Sequence, residues 1–330
     1  MQSMTDAWSY VMPTSDAAVS FPCVLANNDD PSSALGIEDT LLRIAQDRSK
    51  LSDLLKEHGA VLFRGMPLRS ATDFDAFIAA FDLPNFRYAD SLSNAVRTNR
   101  TDRVFTANEA PSTVEIFLHH EMAQTPVYPS KLFFFCETAP QRGGETPICR
   151  SDWLLELMRE QQPQFLKRCA EDGLQYTNVM PHKADAGSGQ GRSWTDTLGT
   201  HDRNVAEQRL SNLGYSWTWL PQGELKVSTP VLPAVKELPN GTEVFFNQLI
   251  AAYRGWDDKR NKGEKSVTFG TGDEIPADDL AMTASLAEQI TEDVAWEQGD
   301  VVLIDNYMMM HGRRPFEGSR AVLASLIAAD

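Results

Sequence analysis

The chain has 330 residues, 42% hydrophobic and 23% charged, which supplies material for a full apolar core and excludes wholesale disorder. Lysine and arginine number 30 against 46 aspartates and glutamates, a formal charge of −16 that argues against a polyanionic partner such as nucleic acid. The four cysteines, Cys23, Cys136, Cys149 and Cys169, form no C-x-x-C pair and are too sparse for a secreted disulfide scaffold, so they read as reduced thiols.

The N-terminal MQSMTDAWSYVMPTSDAA lacks a basic region followed by an apolar stretch, and no apolar run approaches the roughly 20 residues that span a bilayer. A cytoplasmic protein without membrane contact is expected. One domain over 1–330 is the default, because barrel enzymes with inserted helices reach this size as one unit. Residues 1–35, which include NNDDPSS at 27–33, read as an irregular lead-in with a short strand near Phe21–Leu25.

Between Ile37 and His58 the residues Leu41, Leu42, Ile44, Leu51, Leu54 and Leu55 recur at helical spacing, and Gly59 follows as a stop signal. Ala60–Phe63 then reads as a buried strand, and Phe74, Phe77, Ile78 and Phe81 mark a second helix. Val114–Leu118, Lys131–Cys136 and Thr146–Cys149 are β-rich, with Gly143-Gly144 as punctuation before the last. Ser151–Arg168 has a helical pattern with Ser151 or Asp152 as N-cap. The Gly-rich segment GSGQGRSW at 187–194, within 183–200, has the composition of a mobile loop and is a candidate lid. Gly214–Leu220, Val244–Ile250 and Val301–Ile304 read as strands and Ala277–Thr291 as a helix. Many short strands with helices inserted between them predict a mainly β fold with flanking helices, a double-layered jelly-roll barrel.

Six histidines are present, and His119-His120-Glu121 ends a strand-like run. Residues i and i+2 of a strand share a face, so His119 and Glu121 converge while His120 faces away. His311, after the buried run of GDVVLIDNYMMM, supplies a third ligand. Two imidazoles and a carboxylate on one face of an octahedron leave three positions open, which suits Fe(II) taking a bidentate co-substrate and dioxygen, whereas zinc hydrolysis needs one. Arg320 opens the strand-like RAVLASLI on the same face as Val322, Ala324 and Leu326; a buried arginine needs an anion, and a dicarboxylate supplies one. A salt bridge to Glu317 is the plain alternative. Thr146 adds a hydroxyl donor, or is simply a β-former.

At these residues the sequence resembles the taurine dioxygenase and clavaminate synthase-like family of Fe(II)/2-oxoglutarate oxygenases, from about Gly59 to the C-terminus. The stretches that carry the resemblance are HHEMAQTPVYPSKLFFFCETAPQRGGETPI at 119–148, GRSWTDTLGT at 191–200 and GDVVLIDNYMMMHGRRPFEGSRAVLASL at 299–326. The family's HxD/E…H triad falls on His119, Glu121 and His311, its threonine on Thr146 and its 2-oxoglutarate arginine on Arg320, at spacings of 146 − 119 = 27 and 320 − 311 = 9. The resemblance implies a double-stranded β-helix, Fe(II), 2-oxoglutarate and O2 as cofactor and co-substrates, and oxidation of an unactivated C–H coupled to decarboxylation of 2-oxoglutarate to succinate.

By the same resemblance the substrate is a small amino-acid-like molecule, free or tethered to a carrier. Hydroxylation is the base outcome, with desaturation, cyclisation or epoxidation as alternatives on the same ligand set. Glu121 fills the place that family halogenases open for halide. A second arginine found in taurine dioxygenase is Ala324 here, so the keto-acid end of the co-substrate must be held differently. Arg192 in the lid, Asn108 and Asn247 are candidate substrate contacts, with a solvated loop arginine and satisfied structural amides as their alternatives. A metal-binding jelly roll without catalysis, acting as a sensor or structural module, is the reading of another class. The number of subunits is not legible in the sequence.

Overall fold

A computed structural model describes residues 8–11, 20–27 and 34–329. Its largest sheet has seven strands in the order Trp8–Val11, Cys23–Asn27, Ala60–Arg64, Val301–Asp305, Lys131–Thr138, Ala321–Ile327 and Phe105–Thr106. All neighbours pair antiparallel except Cys23–Asn27 with Ala60–Arg64. The central strands are apolar on both faces, and alternation divides them. Phe133, Phe135, Val301, Leu303 and Leu323 pack under the helices Ile37–His58 and Ala71–Ala80, while Leu132, Phe134, Val302, Ile304, Val322 and Ala324 face inward.

The inward face meets a second, four-stranded sheet, Thr291–Val294, Thr146–Arg150, Met309–Arg313 and Ile116–His119, whose Ile148, Val294 and Met309 share the same core. The outer face of this sheet is covered by the helices Ser151–Gln161, Pro163–Asp172, Leu249–Gly255 and Ala277–Gln289. A further four-stranded sheet is built on Leu174–Met180. The architecture is mixed α/β rather than mainly β, with two sheets face to face, and no sheet among the described residues closes into a barrel. No helix among the described residues is long and apolar enough to cross a membrane.

Several elements differ from the sequence expectation for local reasons. Pro163 lacks an N–H and divides the expected helix 151–168 into two; the first is capped by Arg150 without a side-chain bond rather than by Ser151 or Asp152. The apolar run at Val244–Ile250 is not a strand. Only Glu243–Val244 is extended, and Asn247 Oδ1 accepts the Leu249 N–H at 2.9 Å where the helix Leu249–Gly255 begins. The strand expected near Phe21–Leu25 runs over Cys23–Asn27, and the rest of the lead-in lies largely outside the described residues.

Candidate functional site

His119 ends the strand Ile116–His119, and His311 lies directly opposite it in the paired strand Met309–Arg313. The pairing shifts register between His311 and Arg313, and Gly312 sits in the shift. A Cβ there would lie 2.4 Å from the Ile116 carbonyl oxygen, so only glycine lets the two strands approach this closely beside the histidines. The two imidazole centroids are 4.4 Å apart.

Glu121 does not reach the site by strand alternation, since the strand stops at His119. It arrives on a turn closed by Met122, whose φ of 58° places a buried non-glycine residue in the left-handed region. Asn306 holds this turn from the facing sheet: its Oδ1 accepts the Glu121 N–H at 2.8 Å and its Nδ2 donates to the Glu121 carbonyl at 3.0 Å. His120 donates through Nδ1 to the Asn306 carbonyl at 2.6 Å and packs at a tilt against Phe246, so it points away from His311.

The result is a compact donor set. Glu121 Oε2 lies 3.5 Å from His311 Nε2 and 3.9 Å from His119 Nε2, and the candidate ligand atoms of all three residues fall within 4.8 Å of one another. His119 Nδ1 donates to the Phe117 carbonyl at 2.8 Å, which leaves Nε2 with a free lone pair for a metal. Burial, reinforced by the neighbouring His311, pushes the His119 imidazole down to about 4, so it is neutral and able to ligate at ordinary pH. Burial alone would raise the Glu121 carboxyl, but Arg97 and His311 outweigh it and hold the group well below the usual carboxylate range.

The triad stands between two cavities. The first, about 460 Å³, is lined by His119, Glu121 and His311 together with Phe134, Thr146, Arg313, Arg320 and Val322. Arg320 Nε donates to the Gly144 carbonyl at 3.0 Å, and its terminal nitrogens have no partner among the described residues. Gly144, at φ 74°, leaves the space that the Arg320 stem occupies. Glu317, the alternative partner weighed for Arg320, pairs instead with Arg142 at 2.9 Å. Burial and the nearby Arg313 push the Arg320 guanidinium down to about 10, which still leaves it cationic at neutral pH. The Thr146 hydroxyl oxygen accepts the Trp296 indole N–H at 3.1 Å, so its own proton is free to be donated. Arg313, also on this wall, spends its Nη1 and Nη2 on the carbonyls of Asn108, Ala110, Pro111 and Val114.

The second cavity, about 630 Å³, shares Arg97, Asn108, Ile116, His119 and Glu121 with the first and is walled otherwise by Asn94, Gln124, Gly189, Gln190, Gln248 and Trp256, among others. The residues present therefore fit an open-faced metal flanked by one basic and one mixed polar compartment.

The family model for taurine catabolism dioxygenase TauD, TfdA family, matches residues 30–326. The chain belongs to the TauD/TfdA family. It is a non-haem Fe(II)/2-oxoglutarate-dependent dioxygenase, using Fe(II), 2-oxoglutarate and O2. This dioxygenase is 43% identical over 309 residues, 93% of each chain, to a clavaminate synthase-like protein of Arabidopsis thaliana. It is 28% identical over 296 residues, 84% of each chain, to the dapdiamide synthesis protein DdaC of Enterobacter agglomerans. Among solved structures, PvcB of Pseudomonas aeruginosa shares the fold at 12% identity and a TM-score of 0.55, over 94% of this chain and 86% of that one. A taurine dioxygenase of Burkholderia xenovorans does so at 16% identity and a TM-score of 0.53, over 98% of this chain and 90% of that one.

The residues expected at the dioxygenase's substrate are not all brought to it. Asn108 lines both cavities, with its Oδ1 accepting the Ala110 N–H at 3.0 Å. Arg192 is buried, and its guanidinium donates to backbone carbonyls, among them Ser91 at 2.8 Å and Asp196 at 3.1 Å. It ties the loop to the 88–93 segment and lines neither cavity beside the triad. Asn247 likewise serves structure, donating to the Ala234 carbonyl at 3.2 Å and starting a helix. From the candidate lid, Gly189 and Gln190 reach the second cavity.

Arg97 was not anticipated. It is buried, donates from Nη2 to Glu121 Oε1 at 2.9 Å, and sits over the rings of Tyr88 and Phe105 at 4.9 and 5.3 Å. In NAVRTNRTDR it is one of three arginines at regular spacing, and its companions make outward pairs, Arg100 with Glu137 and Arg103 with Asp75.

Proposed function

We propose that His119, Glu121 and His311 hold the Fe(II), that Arg320 and Thr146 take the distal carboxylate of 2-oxoglutarate in the first cavity, and that the second cavity presents an unactivated C–H of a small amino-acid-like substrate for hydroxylation. The observation that carries this reading is that His119 and Glu121 stand on the wall common to two differently equipped cavities, with His311 beside them on the side of the first. In this reading the two facing sheets serve as the double-stranded β-helix of the family.

Bound Fe(II) with 2-oxoglutarate and O2 supplies the oxidising power, and this chain's share is placement and charge. Arg320 offers its two unpartnered terminal nitrogens to a carboxylate in a fork, and the Thr146 proton, oriented by Trp296, adds a third donor. Since Arg313 spends both terminal nitrogens on carbonyls, whereas both terminal nitrogens of Arg320 are unpartnered among the described residues beside Thr146, Arg320 is the anion receptor of that compartment. Glu121 occupies its ligand position, which leaves no place for halide and favours oxygen insertion. Desaturation, cyclisation or epoxidation would follow from a different placement of the substrate carbon.

The similarity to a protein of dapdiamide synthesis supports a nitrogen-containing small molecule. Four buried, free cysteines support a reducing, cytoplasmic setting. The test is anaerobic addition of Fe(II) and then 2-oxoglutarate to the metal-free protein, followed in the visible range. A weak charge-transfer band of the chelated keto acid is expected, followed by succinate release once oxygen and substrate are supplied. A folded protein that binds Fe(II) without developing the band would overturn the reading.

A further inference from the structure

Buried polar atoms almost always find hydrogen-bond partners, so a cluster of exceptions on one wall points to a missing ligand. The second cavity has such a cluster. Arg97 Nε and Nη1, Gln124 Oε1 and Gln190 Oε1 are all buried without a partner, and all three residues line this cavity. The Arg97 side chain is 7% exposed and Gln124 is 6% exposed, so water does not satisfy them in bulk. The unmet groups are of opposite kinds: N–H donors on a permanent cation, and two neutral oxygen acceptors. Glu115, the acidic residue of the wall other than Glu121, is paired with Arg314 at 3.2 Å, which leaves the amide oxygens as the open acceptors. Ala251 and Trp256 give the same cavity an apolar flank.

We infer that the second cavity is a receptor for a free α-amino acid in its zwitterionic form, with Arg97 taking the carboxylate and the side-chain oxygens of Gln124 and Gln190 taking the ammonium. The inference rests on the proposed function and adds to it the ionic form of the substrate. An apolar ligand leaves all of these groups unmet, a plain anion leaves the acceptors unmet, and a plain amine leaves a buried guanidinium unpaired. A zwitterion satisfies both. Because Arg97 Nη2 is already on Glu121 Oε1, a carboxylate held by the remaining Arg97 donors lies beside the metal ligands rather than at the mouth.

The experiment starts from the protein loaded anaerobically with saturating Fe(II) and 2-oxoglutarate. If the charge-transfer band does not form, the proposed function fails before any amino acid is added. With the band in place, the twenty proteinogenic L-amino acids are titrated, each beside its methyl ester, its N-acetyl derivative and its N-acetylcysteamine thioester as a mimic of carrier tethering. Perturbation of the band and calorimetry are the readouts. At least one free amino acid is expected to bind, with each blocked form weaker by about tenfold or more, as for loss of one charge-assisted hydrogen bond.

In Arg97→Gln the preference for free acid over ester should collapse, and in Gln124→Leu the preference for free amine over N-acetyl should collapse. These are ratios within one variant, so a general loss of affinity does not imitate them. The inference is overturned if no free amino acid binds, if ester or thioester binds as tightly as the acid, or if Arg97→Gln weakens 2-oxoglutarate more than the amino acid. The last outcome would assign Arg97 to the keto-acid end of the co-substrate.

Discussion

Arg97 Nη2 and Glu121 Oε1 are 2.9 Å apart, in an ion pair whose side chains are 7% and 4% exposed. The pair selects the oxygen that the triad shows. With Oε1 taken, Oε2 is left facing both histidines, which favours a monodentate carboxylate and keeps coordination positions open. Removing a group that orients a metal ligand typically costs about 10–100-fold in metal affinity. Arg97→Gln is expected to weaken Co(II) binding by that order and to alter the visible absorption of the Co(II) protein. An unchanged spectrum and affinity would make the pair incidental.

His119→Ala and His311→Ala should each abolish turnover and high-affinity metal binding, whereas His120→Ala should retain the metal. His120 is turned towards Asn306 and Phe246, so its loss opens a void of the kind that lowers stability by about 2–5 kcal/mol without touching the donor set. Metal titration beside thermal unfolding separates these effects, and metal loss in folded His120→Ala would contradict the assignment.

In the co-substrate compartment, Arg320→Ala should raise the 2-oxoglutarate requirement by two orders of magnitude or so while leaving Fe(II) affinity nearly unchanged, since a charge-assisted fork is lost. Thr146→Val and Trp296→Phe should each raise that requirement roughly threefold to tenfold, because both remove or misdirect the same hydroxyl proton. The double variant should be no worse than Thr146→Val alone. Additive losses would show that Trp296 acts by another route.

Acid should destabilise the metal-free protein in a defined window. Burial pushes His119 down to about 4 and His120 down to about 3, whereas both titrate near the ordinary 6.5 when unfolded. Below pH 6.5 the unfolded chain therefore binds more protons than the folded one, so stability is full above that pH and is lost as pH falls towards 4 and below. Glu121, held low in the fold, adds a loss of the same sign only below its ordinary value of 4.5. A Tm that is level above pH 6.5 and falls below it is expected, with a shallower fall between pH 6.5 and 4.5 in His120→Leu. An equally steep fall in that variant would remove His120 from the account.

What the sequence made legible was what periodicity and spacing encode. The central strands could be read because alternate residues of runs such as KLFFFC and VVLI are apolar for both faces, and the H-x-E spacing pointed to the grouping of His119 and Glu121 with His311, although a turn at Met122 rather than strand alternation brings Glu121 there. Where one pattern serves two structures, the reading failed: VFFNQLI is as apolar as a strand, and the hydrogen bond at Asn247 makes its second half a helix. Arg192 looked like a mobile contact because glycines surround it, yet six backbone or hydroxyl oxygens spread over 88–93 and Asp196 bury it. Arg97 had the opposite problem. It sits in a polar, regularly spaced arginine stretch, and only tertiary folding turns one of the three inward.

The walls of the two cavities also differ in origin. The proposed ligand histidines are carried by paired neighbouring strands of one sheet, spaced by the backbone at Gly312, whereas much of the second cavity comes from the 93–97 and 189–190 segments and the helix Leu249–Gly255. Apart from Arg97, which is tied to Glu121, substitutions in those segments can remodel what is admitted without touching His119, Glu121 or His311. The architecture thus separates a part that must stay fixed for the chemistry to exist from a part free to drift, which is how one reaction centre diverges across many substrates.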